Sequence, residues 1–294
     1  MMTSKPIGLI GAGLLGSAIA ARLLEAGFRV VGYDIDPAKR AALEAAGARI
    51  APDPSAVAAN CDHVILSLPN SQIAAKVIEQ IAPALEAGSL VIDTTTGSPH
   101  DSQVAAALLE ARGSGYMDAS VGGSSNQARA GDVIVMVGAR PSDFAAAGTI
   151  LAAFARRAFH LGPPGSGARM KLVFNMVLGL NRAVLGEALA FSECYKLPGA
   201  QVLEVLKDGA AYSRVMDTKG AKMLAAEFSP PEARLAQHLK DVRLMLAEGE
   251  GMEANTPLTQ LHEQLLSAAV EMGFEASDNS AIVEVFRKIP RDSS

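Results

Sequence analysis

The chain has 294 residues, of which 49% are apolar, 19% charged and 4% aromatic with no Trp; that is enough for roughly two domains and excludes both a disordered chain and a small stapled scaffold. A net charge of −5 without any dense Lys/Arg run interleaved with aromatics removes the electrostatic driving force of a phosphate-backbone binder, so nucleic acid is not an expected partner. The two cysteines, Cys61 and Cys194, are far apart and lack a CxxC or Cys/His spacing, which leaves no disulfide framework and no expected metal site, and points to a reducing cytoplasm.

Lys5 and the apolar stretch Ile7 to Ala21 have the outline of a secretory signal. A different reading accounts for more residues. Pro6 to Ile10 is a short buried strand, Gly11-Ala12-Gly13-Leu14-Leu15-Gly16 a GxGxxG turn, and Ser17 to Ala26 a helix closed by Gly27. A second strand, Phe28 to Tyr33, ends at Asp34, close to the distance of about 20 residues at which a dinucleotide fold places the acid that meets a ribose. Gly11 permits the tight turn, Gly13 lets a pyrophosphate approach the helix end, and Gly16 lets helix and strand pack closely. No other apolar run reaches the 18 residues of a membrane span, so no membrane is expected.

Further strands are predicted at Val64–Leu68, Leu90–Asp93, Tyr116–Asp118 and Val133–Val137. Helices are predicted near Pro37–Ala46, Ser71–Ile81, His100–Arg112 and Ser142–Ala153. Gly47, Gly88 and Gly113 stand where helices end and positive φ is needed. This alternation predicts a parallel sheet with crossover helices as far as residue 162. The Gly/Pro-rich Leu161 to Gly167 breaks both periodicities and sets the boundary: a dinucleotide-binding domain over 1–162 and a helical region over 163–294. That region opens with one long apolar helix from Ala168 to about Tyr195, and no strand is expected after it.

Ligands of such a sheet bind at the carboxyl ends of its strands. Leu68-Pro69-Asn70 and Asp93-Thr94-Thr95-Thr96 sit there, and so does a polar loop, Asp118 to Gln127, containing Gly122, Gly123 and Ser124. Lys171, with Asn175 one turn later, puts an ammonium on an otherwise apolar helix, where desolvation suits it to proton exchange. Lys240-Asp241 forms a second polar pair on an amphipathic stretch. The five histidines show no metal spacing and no GxSxG elbow is present, so the acid-base group is expected to be a lysine.

These residues resemble the β-hydroxyacid dehydrogenase family over nearly the whole chain. GLIGAGLLGSAIAARL is similar to its opening fingerprint, Asp93 to Pro99 to its DxSTxxP loop, Asp118 to Ala139 to its substrate loop and following strand, and Gly165 to Asn175 to its GxGxxxKxxxN segment. HLKDVRLML resembles the KDL segment, and Asp278 to Ala281 the D-x-S-A near the family's C-terminus. The resemblance implies an α/β fold with an N-terminal Rossmann domain, a long interdomain helix and an all-α C-terminal domain. It implies hydride transfer between nicotinamide and a small β-hydroxyacid or semialdehyde, of the 3-hydroxyisobutyrate or tartronate semialdehyde type. Lys171 and Asn175 would be catalytic, and Gly122, Gly123, Ser124, Phe174 and Asp241 would face the substrate. Gly11, Gly13, Leu14, Leu15, Gly16, Asp34, Leu68, Pro69, Thr96 and Lys240 would hold the cofactor. Asp34 favours NAD, with Lys39 and Arg40 leaving NADP open. A homodimer or homotetramer is the family's usual assembly.

The chain departs from the family's DxPVSGG at Ser120, Gly122 and Ser124, and Phe174 replaces the first of two asparagines. The alternatives are an imine reductase, which usually carries Asp or Tyr in place of Lys171, and a non-catalytic cofactor-binding scaffold.

Overall fold

A computed structural model describes residues 5–288, and the chain divides into two units at Lys171/Leu172. The first unit is built on eight strands: β1 (Ile7–Ile10), β2 (Val30–Tyr33), β3 (Arg49–Ile50), β4 (His63–Leu66), β5 (Leu90–Asp93), β6 (Gly115–Gly122), β7 (Ile134–Gly138) and β8 (Arg157–His160). Their order in the sheet is β3-β2-β1-β4-β5-β6-β7-β8, and β1 to β6 run parallel. Eight helices lie between them: α1 (Leu14–Glu25), α2 (Pro37–Ala45), α3 (Pro54–Asn60), α4 (Ser71–Ile81), α5 (Pro99–Glu110), α6 (Ser125–Arg129), α7 (Pro141–Ala146) and α8 (Gly148–Phe154).

Strand side chains alternate between two cores, the reason these strands read as continuous apolar runs. Ile7 and Leu9 of β1, Ile65 of β4 and Ile92 of β5 join Ile19, Leu23 and Phe154 on one face. Ile10, Val64, Leu66 and Val91 join Val57, Ile78 and Leu109 on the other. The chain reverses direction across the sheet between β1 and β4, and a crevice at that point is where dinucleotides bind this topology.

Four features depart from the sequence reading. First, β7 pairs antiparallel with β6, from Asp118↔Gly138 to Gly122↔Ile134. The connecting helix α6 has only five residues, too few to carry the chain back along the sheet as a parallel crossover must. Second, the helix predicted over Ser142–Ala153 is two, divided at Ala147 just before Gly148, a poor helix former. Third, β3, α3 and β8 were not predicted; α3 nevertheless has an Asp53 side chain accepting from the Ala56 N–H and Pro54 at its start. Fourth, the tract Asp118 to Gln127 is not a loop: its first half completes β6 and Ser124 caps α6.

The long helix α9 (Ser166–Cys194) begins in the first unit and continues into the second. By length and composition it could span a membrane, with a window of mean hydropathy 1.3, which corrects the expectation that no other run approaches that length. Of that window 44% is buried within the protein, as in the central helix of a helical domain. The second unit continues with α10 (Gly199–Asp208), α11 (Arg214–Ala225), α12 (Leu235–Glu250), α13 (Pro257–Glu271) and α14 (Val283–Lys288). Its core gathers Leu185 and Leu189 of α9 with Met223, Val242, Leu266 and Ile282.

Candidate active site

The turn after β1 holds three glycines with different tasks. Gly11 has φ 97°, and a Cβ there would collide with the Ser67 carbonyl oxygen; a Cβ on Gly16 would collide with the Gly11 carbonyl oxygen. A Cβ on Gly13 would meet nothing within 4 Å. Gly11 and Gly16 thus serve the chain's own packing, whereas Gly13 leaves an open approach to the start of α1. The first turn of α1, with Leu14 and Leu15, carries no side-chain cap and no acidic residue. Backbone N–H groups at such a helix end fit a pyrophosphate.

Asp34 locks this turn to β2. Its Oδ2 accepts the Ala12 N–H at 2.7 Å and its Oδ1 the Asp36 N–H at 2.9 Å, and the carboxylate is buried. Each oxygen keeps a lone pair for a further donor, such as a ribose hydroxyl. Lys39 Nζ is 3.9 Å from Oδ2, whereas Arg40 turns to the backbone and donates to the Asp34 and Ile35 carbonyl oxygens at 2.8 and 3.2 Å.

Beyond β4, the Leu68 N–H donates to Thr95 Oγ1 at 3.2 Å, and Thr94 Oγ1 donates to the Leu66 carbonyl oxygen at 2.7 Å. Two of the three threonines therefore tie β4 to β5, while Thr96 is half-buried and Pro69 exposed. Asp93 accepts from the Thr95 N–H and the Tyr116 hydroxyl, and burial pushes its carboxyl up to about 6.

Strand β6 carries the next group. Lys171 Nζ donates to the Val121 carbonyl oxygen at 2.7 Å, so the ammonium is held at the carboxyl end of β6 rather than released to solvent. Three residues earlier in the strand, Asp118 Oδ1 accepts the Gly165 N–H at 2.6 Å and Oδ2 the Ala168 N–H at 2.7 Å. Burial raises the Asp118 carboxyl, and the amides of Gly165, Ala168 and Gly167 oppose that rise. Gly122 is buried, and a Cβ there would lie 2.9 Å from Ile134 Cγ1 and 3.4 Å from Met136 Cε. Isoleucine thus fills the space that the family's serine would need. The Ser124 N–H and hydroxyl form a capping box with Gln127 at 2.9 and 3.2 Å.

In the second unit Asn175 is buried and its Nδ2 donates to Asp241 Oδ2 at 3.3 Å, joining α9 to α12; Lys240 beside it is exposed and Phe174 half-buried. Asp278 of the D-x-S-A segment binds Lys219 Nζ at 3.0 and 2.9 Å and Ser280 Oγ at 2.8 Å. Burial alone would raise its carboxyl, yet Lys219 and Ser280 hold it well below the carboxylate range. Its partners make it a tie between α11 and the chain's last turns.

Sequence reasoning missed a buried group nearby. Arg182 on α9, His238 and His262 are all buried, and the two rings lie 5.1 Å apart against Gly179, where a Cβ would reach His262 Cε1 at 2.6 Å. Burial and then Arg182 lower His262 to about 4, and burial lowers Arg182 to about 10. The available signal was Gly179 in the middle of an apolar helix, which marks a close approach.

Residues 6–162 match the family model of the NAD binding domain of 6-phosphogluconate dehydrogenase, and residues 165–286 match the model described as NAD-binding of NADP-dependent 3-hydroxyisobutyrate dehydrogenase. The chain is 31% identical over 293 residues to 2-(hydroxymethyl)glutarate dehydrogenase of Eubacterium barkeri, covering 98% of this chain and 97% of that one. It is 27% identical to glyoxylate/succinic semialdehyde reductase 1 of Arabidopsis thaliana, with 96% and 98% covered. Among solved structures, 3-hydroxyisobutyrate dehydrogenase of Mycobacterium tuberculosis with L-serine superposes with a TM-score of 0.88 at 25% identity, over 98% of this chain and all of that one.

These matches identify a nicotinamide-dependent oxidoreductase. The chain belongs to the β-hydroxyacid dehydrogenase family and is an NAD(P)-dependent hydroxyacid dehydrogenase; the imine reductase alternative is not favoured.

Proposed function

We propose that Lys171 is the general acid-base of this enzyme, acting on a small β-hydroxyacid or semialdehyde with NAD as the preferred cofactor. The observation that carries the reading is the Lys171 ammonium fixed on the Val121 carbonyl oxygen, one residue before Gly122. A lysine snorkelling to water would not be held on a strand.

When bound, the nicotinamide takes or supplies the hydride at the substrate carbon. In oxidation Lys171 takes the hydroxyl proton as the carbonyl forms, and in reduction its ammonium returns that proton to the nascent alkoxide. Asn175, steadied by Asp241, orients the substrate or the lysine. Gly13, Leu14 and Leu15 offer backbone N–H groups to the pyrophosphate, with Gly11 and Gly16 shaping the turn; Asp34 takes the ribose hydroxyls, and Leu68, Pro69, Thr96 and Lys240 complete the cofactor's surroundings. Gly122, Gly123, Ser124, Phe174 and Asp241 face the substrate. With Ile134 beside Gly122, no serine hydroxyl is offered to the substrate at that position.

The domain division at 162/163 stands as part of this reading, with a cytoplasmic homodimer or homotetramer. Val173, Val177, Val184 and Phe191 lie along one side of α9, with Tyr195 just past its end, and each is at least half exposed, an apolar stripe suited to a second copy. A light-scattering mass of a single chain would overturn the assembly.

The test of the chemistry is Lys171→Ala against 3-hydroxyisobutyrate, 2-(hydroxymethyl)glutarate, glyoxylate and succinic semialdehyde. The variant is expected to keep NADH binding and lose at least about 100-fold in kcat. Wild-type turnover in the variant sinks the proposal.

A further inference from the structure

Helix α9 begins without a side chain of its own to cap it. Gly165 precedes it, so the helix-end amides need an acceptor from elsewhere. Asp118, 47 and 50 residues away in sequence, receives both the N–H of Gly165 and that of Ala168. These are the two donors that a capping box satisfies locally with two side chains; here one carboxylate from β6 satisfies both.

The surroundings are shaped to that carboxylate. A Cβ on Gly138 of β7 would collide with Asp118 Oδ1, and one on Gly167 would lie 2.7 Å from Oδ2. Strand β6 then grips α9 a second time, through the Val121 carbonyl oxygen on Lys171 Nζ. The two holds are three residues apart on one strand, and together they set how far α9 stands along β6.

We propose that Asp118 is a positioning residue for Lys171, fixing the start of α9 on β6 and with it the place of the ammonium. The proposal rests on the reading of Lys171 as the acid-base group and adds a requirement to it. Lys171 lies one turn further along α9, past the first turn in which the partial positive charge of the helix end acts. The Asp118 carboxylate sits at that end and offsets the charge.

Asp118→Asn tests this, because the amide keeps one acceptor and turns an NH2 toward one of the two N–H groups. Lys171 is titrated without substrate by trace acetylation with acetic anhydride between about pH 6 and pH 11, and amide exchange is followed at Gly165 and Ala168. In the variant the Lys171 labelling midpoint is expected to fall, because an anion on the strand that holds the ammonium is lost. Exchange at both amides should rise at least about tenfold. On the same substrate panel kcat should drop roughly 100-fold, with NADH affinity within about threefold of wild type.

A folded variant with wild-type labelling, exchange and kcat overturns the proposal. If Lys171→Ala keeps full turnover, the acid-base reading fails, while labelling and exchange still decide whether Asp118 positions the lysine. Should Asp118→Asn fail to fold, Gly165→Ala takes its place. Gly165 has φ 92°, and a Cβ there would lie 3.0 Å from the Pro99 carbonyl oxygen, so alanine draws the N–H off the carboxylate with the acid intact. The same rise in exchange and drop in kcat are expected, and an unchanged profile in that variant also overturns the proposal.

Discussion

On the reading of Asp34 as the ribose-binding acid, one side chain serves the fold and a ligand together. Its two oxygens hold the Ala12 and Asp36 amides, so the carboxylate is already oriented by the chain. A buried anion with spare lone pairs favours ribose hydroxyls and repels a 2′-phosphate. Arg40, six residues on, donates to backbone carbonyl oxygens, leaving Lys39 at 3.9 Å as the opposing cation. The expected outcome is a kcat/KM for NAD at least about tenfold above that for NADP, an energy difference of about 1.4 kcal/mol. Asp34→Ser should narrow that ratio, and a wild-type ratio near one removes Asp34 from cofactor choice. Burial forced this geometry as much as function did, since a buried carboxylate must find donors.

At the scale of elements, the glycine turn holds two glycines required by packing and one, Gly13, that faces open space. Gly16→Ala sets a methyl against the Gly11 carbonyl oxygen, whereas Gly13→Ala adds one in open space. Gly16→Ala is therefore expected to destabilise the first unit by about 1–3 kcal/mol. Gly13→Ala should unfold like wild type in urea yet bind NADH at least about tenfold more weakly. Equal effects of the two on stability would contradict this division. The turn was readable from sequence because all its partners lie within one strand-helix-strand stretch. For the same reason Ser71–Ile81 and Leu90–Asp93 were read residue for residue: each has its own caps or its own apolar run. What escaped depended on distant partners. Strand β3 has two residues, paired only because β2 lies beside it, and the direction of β7 follows from the shortness of α6. The motif containing Asp118 was visible, but its two amide partners follow about 50 residues later, and no local pattern links them. Lys171 could be singled out as a misplaced charge on an apolar helix, while the carbonyl that holds it belongs to another element.

Across the whole molecule, the two units carry buried titratable groups whose effects on acid stability oppose each other. In the first, burial raises Asp93 to about 6, above the ordinary carboxyl value near 4. Folding therefore favours its protonated form, and between about pH 6 and pH 4 acidification stabilises that unit through Asp93. In the second, burial and Arg182 lower His262 to about 4, below the ordinary imidazole value near 6.5. Folding favours the neutral ring. Its contribution is complete above about pH 6.5 and is lost as the pH falls toward 4, because the unfolded chain takes up the proton first; that loss reaches roughly 2 kcal/mol by pH 5. Asp278, held low by Lys219 and Ser280 against burial, adds further loss in the same unit at lower pH. The groups around His262 are His238, in ring contact from α12, and Arg182 from α9. Scanning calorimetry at pH 7 and pH 5 should therefore show the transition of the helical unit falling further than that of the sheet unit. His262→Leu should shrink that fall, since an apolar side chain has no proton to gain. Equal displacement of both transitions, or a His262→Leu profile parallel to wild type, would show that the ring is hydrated in solution and that Arg182 is compensated by other means.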